Sequence, residues 1–157
     1  MTDPDAGSIG NTASPSRMSV LWGGRHVFRC AACGKDAASI GLVTGDVPIE
    51  FGPGPDGRPL VLTIGDPGET RITLNFLGIA SMNAPAGAIP ILEASEVDPL
   101  SLVHLNWELG AFCCRECHLN YCSGCWRPWP VFADDYPGWH EETRGVCPNG
   151  HEQRLED

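Results

Sequence analysis

The spacing of cysteines is the feature that most constrains what this chain can fold into. All but one of its eight cysteines, together with one histidine, fall into four closely spaced pairs. The first pair is Cys30 and Cys33, the second is Cys114 and Cys117, the third is Cys122 and Cys125, and the fourth is Cys147 and His151. A two-residue spacer lets one tight turn point both sulfurs of a pair at the same metal ion. Because a tetrahedral zinc site needs four ligands, the four pairs predict two zinc ions.

The distance along the chain between the second and third pairs predicts how the pairs are shared between the ions. Only residues 118–121 separate them. That segment is short for a chain that must fold both pairs back onto one ion, but it suffices for a short strand that sends one pair to each ion. We therefore expect a cross-brace, in which the first and third pairs bind one ion and the second and fourth pairs bind the other. Two independent sequential sites are the alternative.

Three neighbouring residues compete for one ligand position. Cys114 has the two-residue spacer to Cys117, so we assign it as the ligand and give Cys113 a buried, apolar role. His118 is a rival ligand, but it adjoins Cys117 and we expect it to lie at the surface or to form a hydrogen bond. Zinc is favoured over iron because the fourth pair ends in a histidine.

The segment from Phe112 to Cys125, FCCRECHLNYCSGC, resembles the central segment of FYVE and related treble-clef, RING-like zinc domains. The resemblance implies one zinc ion held by Cys30, Cys33, Cys122 and Cys125 and another held by Cys114, Cys117, Cys147 and His151. Phosphoinositide binding does not carry over, because residues 107–112 contain no cation where FYVE domains place a basic cluster. The ending of the chain, from Trp139 to His151, is similar to that of small uncharacterised bacterial zinc proteins.

Composition and charge indicate the cellular compartment of the protein and the classes of partner that it can bind. Residues 1–18 are polar and predict a disordered extension, followed by a single zinc-binding domain at 19–157. The sequence shows no secretory signal and no uninterrupted apolar span, so we expect a cytoplasmic protein without membrane association, whose thiols stay reduced. A net charge of −10 repels nucleic acid. We interpret the basic residues Arg25, Arg29 and Lys35 as a solvated face, with a nucleic-acid patch as the alternative.

A long segment without predicted ligands, at about 38–110, lies between the first and second pairs. Apolar or alternating runs separated by Gly/Pro turns predict strands at residues 39–44, 47–51, 60–64 and 71–77. Further predicted elements are a hairpin of residues 20–22 and 25–29 that turns at Gly23-Gly24, a strand over 100–112, and a short helix either after Cys125 or around 91–97. The expected fold is a small β-rich (α+β) zinc-binding fold, with a cross-brace, treble-clef-like frame and an inserted antiparallel sheet.

The aromatic and acidic segment between the third and fourth pairs is the candidate partner-binding surface. We assign to it Trp126, Trp129, Asp134, Asp135 and Trp139. Tryptophan offers a large contact area at a low entropic cost, and an acidic rim would suit a basic protein. The alternative is that these aromatic residues pack over the zinc sites as core.

The sequence therefore favours a non-enzymatic, zinc-stabilised protein-binding module, such as an adaptor, inhibitor or immunity-type protein for a basic partner. The alternatives are a zinc-finger nucleic-acid-binding regulator and an enzyme with its site in the β insert. Closed four-ligand sites leave no coordination position for a substrate. The segment His140-Glu141-Glu142 follows the first three cysteine pairs, which is the wrong order for a zinc deaminase. We assign no catalytic residue.

Overall fold

A computed structural model describes residues 23–45, 47–64 and 68–157 of the chain. Within these ranges nine strands form three antiparallel sheets, accompanied by two short α-helices and one 3₁₀ helix. The prediction of a small β-rich fold is thus confirmed at this level. The predicted extension at 1–18 and the predicted strand at 20–22 lie outside the described residues. No helix in the described ranges is long and apolar enough to cross a membrane.

The largest sheet has four strands in the order β1-β2-β5-β6. These strands are β1 (Gly23–Arg29), β2 (Asp36–Thr44), β5 (Thr70–Asn75) and β6 (Ile79–Asn83). The interior of β2 is buried along its whole length, and strands pair with both of its edges. In β5, the apolar residues Ile72 and Leu74 are buried, as the alternation of the sequence predicts, but Thr73 between them is buried as well.

The predicted turn at Gly23-Gly24 is wrong. Strand β1 begins at Gly23 and continues through Gly24 with a shift of register, so the chain bulges there and does not reverse. Its partner is β2, which lies on the other side of the first pair. The first pair itself therefore forms the turn of the hairpin.

A separate two-stranded sheet consists of β3 (Val47–Pro53) and β4 (Pro59–Ile64). Their connection carries the predicted Gly/Pro turn: Gly54 N–H donates to the Arg58 carbonyl at 2.7 Å, and Gly57 has a φ of 76°. Glycine suits that turn because a left-handed backbone is costly for other residues.

One α-helix and a 3₁₀ helix replace the strand predicted over 100–112, and another α-helix precedes them. In chain order they are α1 (Ala88–Glu93), α2 (Pro99–Leu105) and the 3₁₀ helix Trp107–Gly110. The side chain of Asp98 caps α2 by accepting from the Leu100 N–H, and Pro99 occupies its first turn. The helix predicted around 91–97 overlaps α1, whereas a strand and no helix follows Cys125.

The third sheet follows the third pair and has the strand order β7-β8-β9. Its strands are β7 (Arg127–Phe132), β8 (His140–Val146) and β9 (Glu152–Glu156). The aromatic and acidic segment between the third and fourth pairs is therefore largely a hairpin. Strand β7 lies at the edge of the sheet, where Pro128 and Pro130 are tolerated because an edge strand can leave N–H positions unpaired.

One hydrophobic core connects the large sheet with the cysteine-bearing turns. The ring of Phe112 lies 4.7 Å from that of Phe28 on β1 and 6.2 Å from that of Phe76, which follows β5. Trp126 is 1% exposed and its indole N–H donates to the Phe112 carbonyl at 3.3 Å. Phe112 thus connects the large sheet to the residue that follows the third pair.

Candidate metal centres

The structure brings the four pairs together as two clusters. Cluster 1 consists of Cys30, Cys33, Cys122 and Cys125. Cluster 2 consists of Cys114, Cys117, Cys147 and His151. Within each cluster the candidate ligand atoms lie within 4.8 Å of one another. Each cluster therefore combines alternate pairs, the first with the third and the second with the fourth, and within the described ranges no ligand comes from the segment between the first and second pairs.

The turns of the first and second pairs have the same backbone hydrogen bonds. Cys30 N–H donates to the Lys35 carbonyl at 2.7 Å, and Gly34 N–H donates to the Cys30 carbonyl at 2.9 Å. The equivalent distances in the second pair are 2.9 Å, from Cys114 to Leu119, and 2.8 Å, from His118 to Cys114. The residue after the second cysteine has a positive φ in both turns, 74° at Gly34 and 56° at His118.

The third and fourth pairs use other turns. Cys125 and Trp126 both donate their N–H groups to the Cys122 carbonyl, at 2.9 and 3.0 Å, which forms one helix-like turn directly before β7. In the fourth pair, Cys147 N–H donates to the His151 carbonyl at 2.9 Å. This closed turn connects β8 to β9.

The spacing of the ligand atoms fits a tetrahedral ion. With a metal–sulfur bond of about 2.3 Å and a metal–nitrogen bond of about 2.1 Å, two sulfurs lie about 3.8 Å apart and a sulfur and a nitrogen about 3.6 Å apart. In cluster 1 the sulfurs of Cys33 and Cys122 are 3.6 Å apart. In cluster 2 the His151 Nδ1 lies 3.6 Å from Cys114 Sγ and 3.5 Å from Cys147 Sγ. Both donor sets could therefore hold a metal ion.

Each cluster contains thiols of different acidity. Burial raises the pKa of Cys30, but hydrogen bonds from backbone N–H groups of both turns in cluster 1 outweigh it and lower the pKa to about 6. In cluster 2, burial is likewise outweighed at Cys117, where hydrogen bonds led by that from Tyr121 lower the pKa to about 6. Burial raises the pKa of Cys114 to about 11. Metal binding must therefore displace protons from some ligands, which makes the affinity depend on pH.

Cys113 lies outside both clusters. It is 2% exposed, belongs to the hydrophobic core, and its thiol lies 3.8 Å from the Cys114 carbonyl as a weak donor. Burial, followed by the charge of Asp98, raises the pKa of the Cys113 thiol to about 11. The structure thus places Cys114 among the candidate ligands and Cys113 in the core.

Two buried polar residues that the sequence analysis did not identify support cluster 2. The hydroxyl of Tyr121 lies 3.5 Å from Cys117 Sγ and accepts from the Asn149 side chain at 3.2 Å. Gln153 on β9 donates to the carbonyls of Ala111 and Cys113 at 2.9 and 3.1 Å. A tyrosine one residue before a metal ligand was the available signal for the first, whereas no local pattern distinguishes Gln153.

The candidate partner surface differs from its prediction at one residue. Trp126 is buried, so its assignment to an exposed surface is wrong; it follows the third pair directly and points into the core. Trp129 is 37% exposed and Trp139 is 70% exposed, and both Asp134 and Asp135 are exposed. The structure adds Phe132 and Tyr136, which are 51% and 69% exposed.

Comparison with curated proteins and with solved structures found no match in either set. The likeness to FYVE and RING-like domains therefore stays a prediction from ligand spacing. A family model described as "Domain of unknown function (DUF8328)" matches residues 21–157. Since this match spans most of the chain, the protein belongs to the DUF8328 family.

Proposed function

We propose that this chain is a non-enzymatic protein-binding module, stabilised by two zinc ions in a cross-brace, treble-clef-like frame. Its binding surface is the exposed aromatic part of the β7–β8 hairpin, and its partner is a basic protein. One observation carries the proposal: four aromatic side chains on this hairpin are between 37% and 70% exposed. We call them the aromatic patch, and they are Trp129, Phe132, Tyr136 and Trp139.

Zinc is the ion that suits the two donor sets best. Sets of four thiolates, and of three thiolates with an imidazole, favour zinc over the hard cations, which prefer oxygen ligands. All four positions around each ion would be filled by protein atoms, so the ion would stabilise the fold and leave no position for a substrate. This closed coordination supports a structural role.

The aromatic patch is suited to contacts through side chains. Large exposed aromatic groups are scarce on the surfaces of soluble proteins and are enriched at interfaces, where they exclude water at a small entropic cost. Within the patch, Phe132 also contacts the ring of His140 across the hairpin at 6.5 Å. The prolines of β7 remove N–H donors from the strand, so a partner gains little by adding a strand to this edge.

Acidic residues next to the patch favour a basic partner. Asp134 and Asp135 are exposed in the connection between β7 and β8, and Glu141 is exposed on β8. No ion pair joins these three carboxylates to another described residue, so they are available to steer a cation. The net charge of −10 adds a long-range attraction for a basic protein and a repulsion for nucleic acid.

The test is partner capture with matched surface variants. Zinc-loaded protein is used to isolate binding proteins from its native host, and the affinity for the purified partner is then measured. We expect Trp139→Ala and Tyr136→Ala to weaken binding at least ~10-fold, as for interface hot spots, with zinc content unchanged. The control is Ile89→Ala, since Ile89 is 40% exposed but lies on α1.

The capture experiment has a definite negative outcome. Equal affinity of Trp139→Ala, Tyr136→Ala and the unaltered protein for the captured partner would exclude the aromatic patch as the binding surface. A captured partner that is itself acidic would exclude the electrostatic part of the proposal. Binding of nonspecific duplex DNA with a strong salt dependence would favour the nucleic-acid alternative instead.

A further inference from the structure

Tyr121 is one of two tyrosines in the chain, and it has a buried hydroxyl beside a candidate metal ligand. The residue is 2% exposed, and its ring packs edge-on against Trp126 at 5.9 Å. Its hydroxyl lies 3.5 Å from the sulfur of Cys117 in cluster 2. A hydrophobic site for the ring would be filled equally well by phenylalanine, so the hydroxyl needs a separate explanation.

The direction of the hydrogen bonds assigns a role to this hydroxyl. The side-chain amide of Asn149 donates to the tyrosine oxygen at 3.2 Å. A metal-bound thiolate has no proton, so Tyr121 must be the donor when Cys117 binds a metal ion. The result is a directed chain from Asn149 through Tyr121 to the thiolate. It connects the turn of the fourth pair to the turn of the second pair, the two pairs that form cluster 2.

Cluster 1 has no equivalent support. Among the described residues, no side chain outside the cluster is found within hydrogen-bond distance of its sulfurs. It is also more open to solvent, because Cys33 is exposed. In cluster 2, by contrast, Cys114 and Cys147 are each fully buried. The two clusters have the same number of ligands but different surroundings.

We propose that Tyr121 is a positioning residue for cluster 2, and that the chain Asn149–Tyr121–Cys117 makes cluster 2 hold its metal ion more tightly than cluster 1. Hydrogen bonds to metal ligands fix the orientation of the ligand and commonly change metal affinity 10–100-fold. Cluster 1, in which Cys33 is exposed and no described side chain from outside the cluster bonds to a ligand, would then be the site that loses and exchanges its ion first. This inference rests on the proposal that both clusters bind zinc.

The test compares Tyr121→Phe with Tyr136→Phe, which removes the only other tyrosine hydroxyl from an exposed position in the hairpin. Zinc is withdrawn stepwise by a chromophoric chelator, and freed cysteines are located by alkylation and mass mapping. In the unaltered protein we expect two dissociation constants, with the cysteines of cluster 1 alkylated first. Tyr121→Phe should raise the dissociation constant of cluster 2 about 10–100-fold and leave that of cluster 1 unchanged. Tyr136→Phe should change neither.

A spectroscopic measurement separates positioning from packing. In the cobalt(II)-substituted protein, loss of a hydrogen bond to a thiolate raises the energy of the sulfur lone pair. The sulfur-to-cobalt charge-transfer band of Tyr121→Phe should therefore move to longer wavelength. Asn149→Ala, at an exposed residue whose truncation leaves no cavity in the core, should cause a smaller change in the same direction.

Each outcome decides between the two proposals. If Tyr121→Phe changes neither dissociation constant nor the band, or weakens both sites equally, the positioning role is excluded. If Tyr121→Phe does not fold, the same comparison is made with Asn149→Ala. A protein that binds fewer than two zinc ions contradicts the proposed function itself. Two ions bound with equal affinity contradict only this inference.

Discussion

The backbone of His118 provides a stability test of the metal-binding turns. His118 is the only residue other than glycine with a positive φ in the described part of the chain, at 56°. It occupies the position in the second pair that Gly34 occupies in the first. Its side chain is exposed, and no hydrogen bond or ion pair joins it to another described residue. The structure therefore predicts that His118→Gly stabilises the protein.

The expected gain in the free energy of unfolding of His118→Gly is the difference between two opposing contributions. A left-handed backbone costs a residue with a Cβ roughly 1–2 kcal/mol. Glycine loses about 0.5–1 kcal/mol more conformational entropy on folding. The difference predicts a gain of about 0.5–1 kcal/mol for His118→Gly, which corresponds to an increase in Tm of about 1–4 °C for a chain of this length.

Gly34→Ala is the reciprocal variant. Gly34 has a φ of 74°, and a Cβ added there would have no atom within 4 Å, so the change introduces backbone strain without a clash. We expect it to destabilise the protein by about 0.5–1 kcal/mol. The two turns belong to different clusters, so the double variant should have nearly the stability of the unaltered protein.

The assay is urea unfolding at a fixed concentration of free zinc, because metal bound only by the folded state adds to its apparent stability. Zinc content is measured for every variant. A loss of stability or of zinc in His118→Gly would refute the reasoning, since it would mean that the imidazole is a ligand or makes a stabilising contact. An increase in stability for both His118→Gly and Gly34→Ala would also contradict this reasoning.

Two further predictions concern the ligands. The unaltered protein should contain two zinc ions by elemental analysis; Cys114→Ser should retain one and lose much of its stability, whereas Cys113→Ser should retain both, and the reverse result would mean that the two neighbours were assigned wrongly. Zinc affinity should fall as the pH falls through about 6. Hydrogen bonds lower the pKa of Cys30 to about 6 in the folded protein, so below that pH the thiol takes up a proton that zinc must displace. The pKa of this thiol in the folded protein lies below its usual value. Its contribution to the stability of the folded, zinc-binding state is therefore present above the usual pKa and is lost on acidification through the lowered pKa. A zinc titration followed from pH 8 to pH 5 that shows constant affinity would contradict this.

The ligand clusters could be predicted from sequence because their constraints are local. A two-residue spacer fixes the direction of both sulfurs, and the short segment between the second and third pairs favours sending those pairs to different ions. Most of the strands in the segment between the first and second pairs were predictable for a related reason. Alternation or apolar runs marked β2 to β5, and Gly/Pro turns such as Gly54–Gly57 marked the connections. Strand β6 (Ile79–Asn83) was not predicted.

The helix α2 was missed because its apolar residues mimic a strand. Leu100 and Leu102 are two residues apart, which suggested alternation, yet only Leu102 is fully buried. The better signal was the start of the helix, where Asp98 is followed by Pro99. The 3₁₀ helix that follows depends on Gly110, because a Cβ there would lie 2.8 Å from the Pro99 carbonyl oxygen. That contact is set by tertiary packing and has no local sequence pattern.

The location of Trp126 could not be predicted from composition. A cluster of tryptophans fits a surface and a core equally well, and only the position of each residue on the sheet separates the two. Trp126 lies in the helix-like turn directly before β7, whereas Trp129 lies within β7, so strand alternation does not fix the face of Trp126. The face of Trp126 is occupied by Leu155 and by Gly145, where an added Cβ would lie 2.5 Å from the Leu155 side chain and 3.4 Å from the indole. That face packs into the core, and Trp129 is left exposed.

The aromatic residues next to the ligand pairs make metal binding and core packing parts of one structure. Phe28 comes just before the first pair and Phe112 just before the second, and their rings are 4.7 Å apart. Trp126 follows the third pair directly, and its indole donates to the Phe112 carbonyl. Three of the four ligand turns are therefore anchored in the same core. A turn that loses its ion cannot relax without moving an aromatic residue on which the other turns depend, so the two clusters and the core should unfold as one cooperative unit.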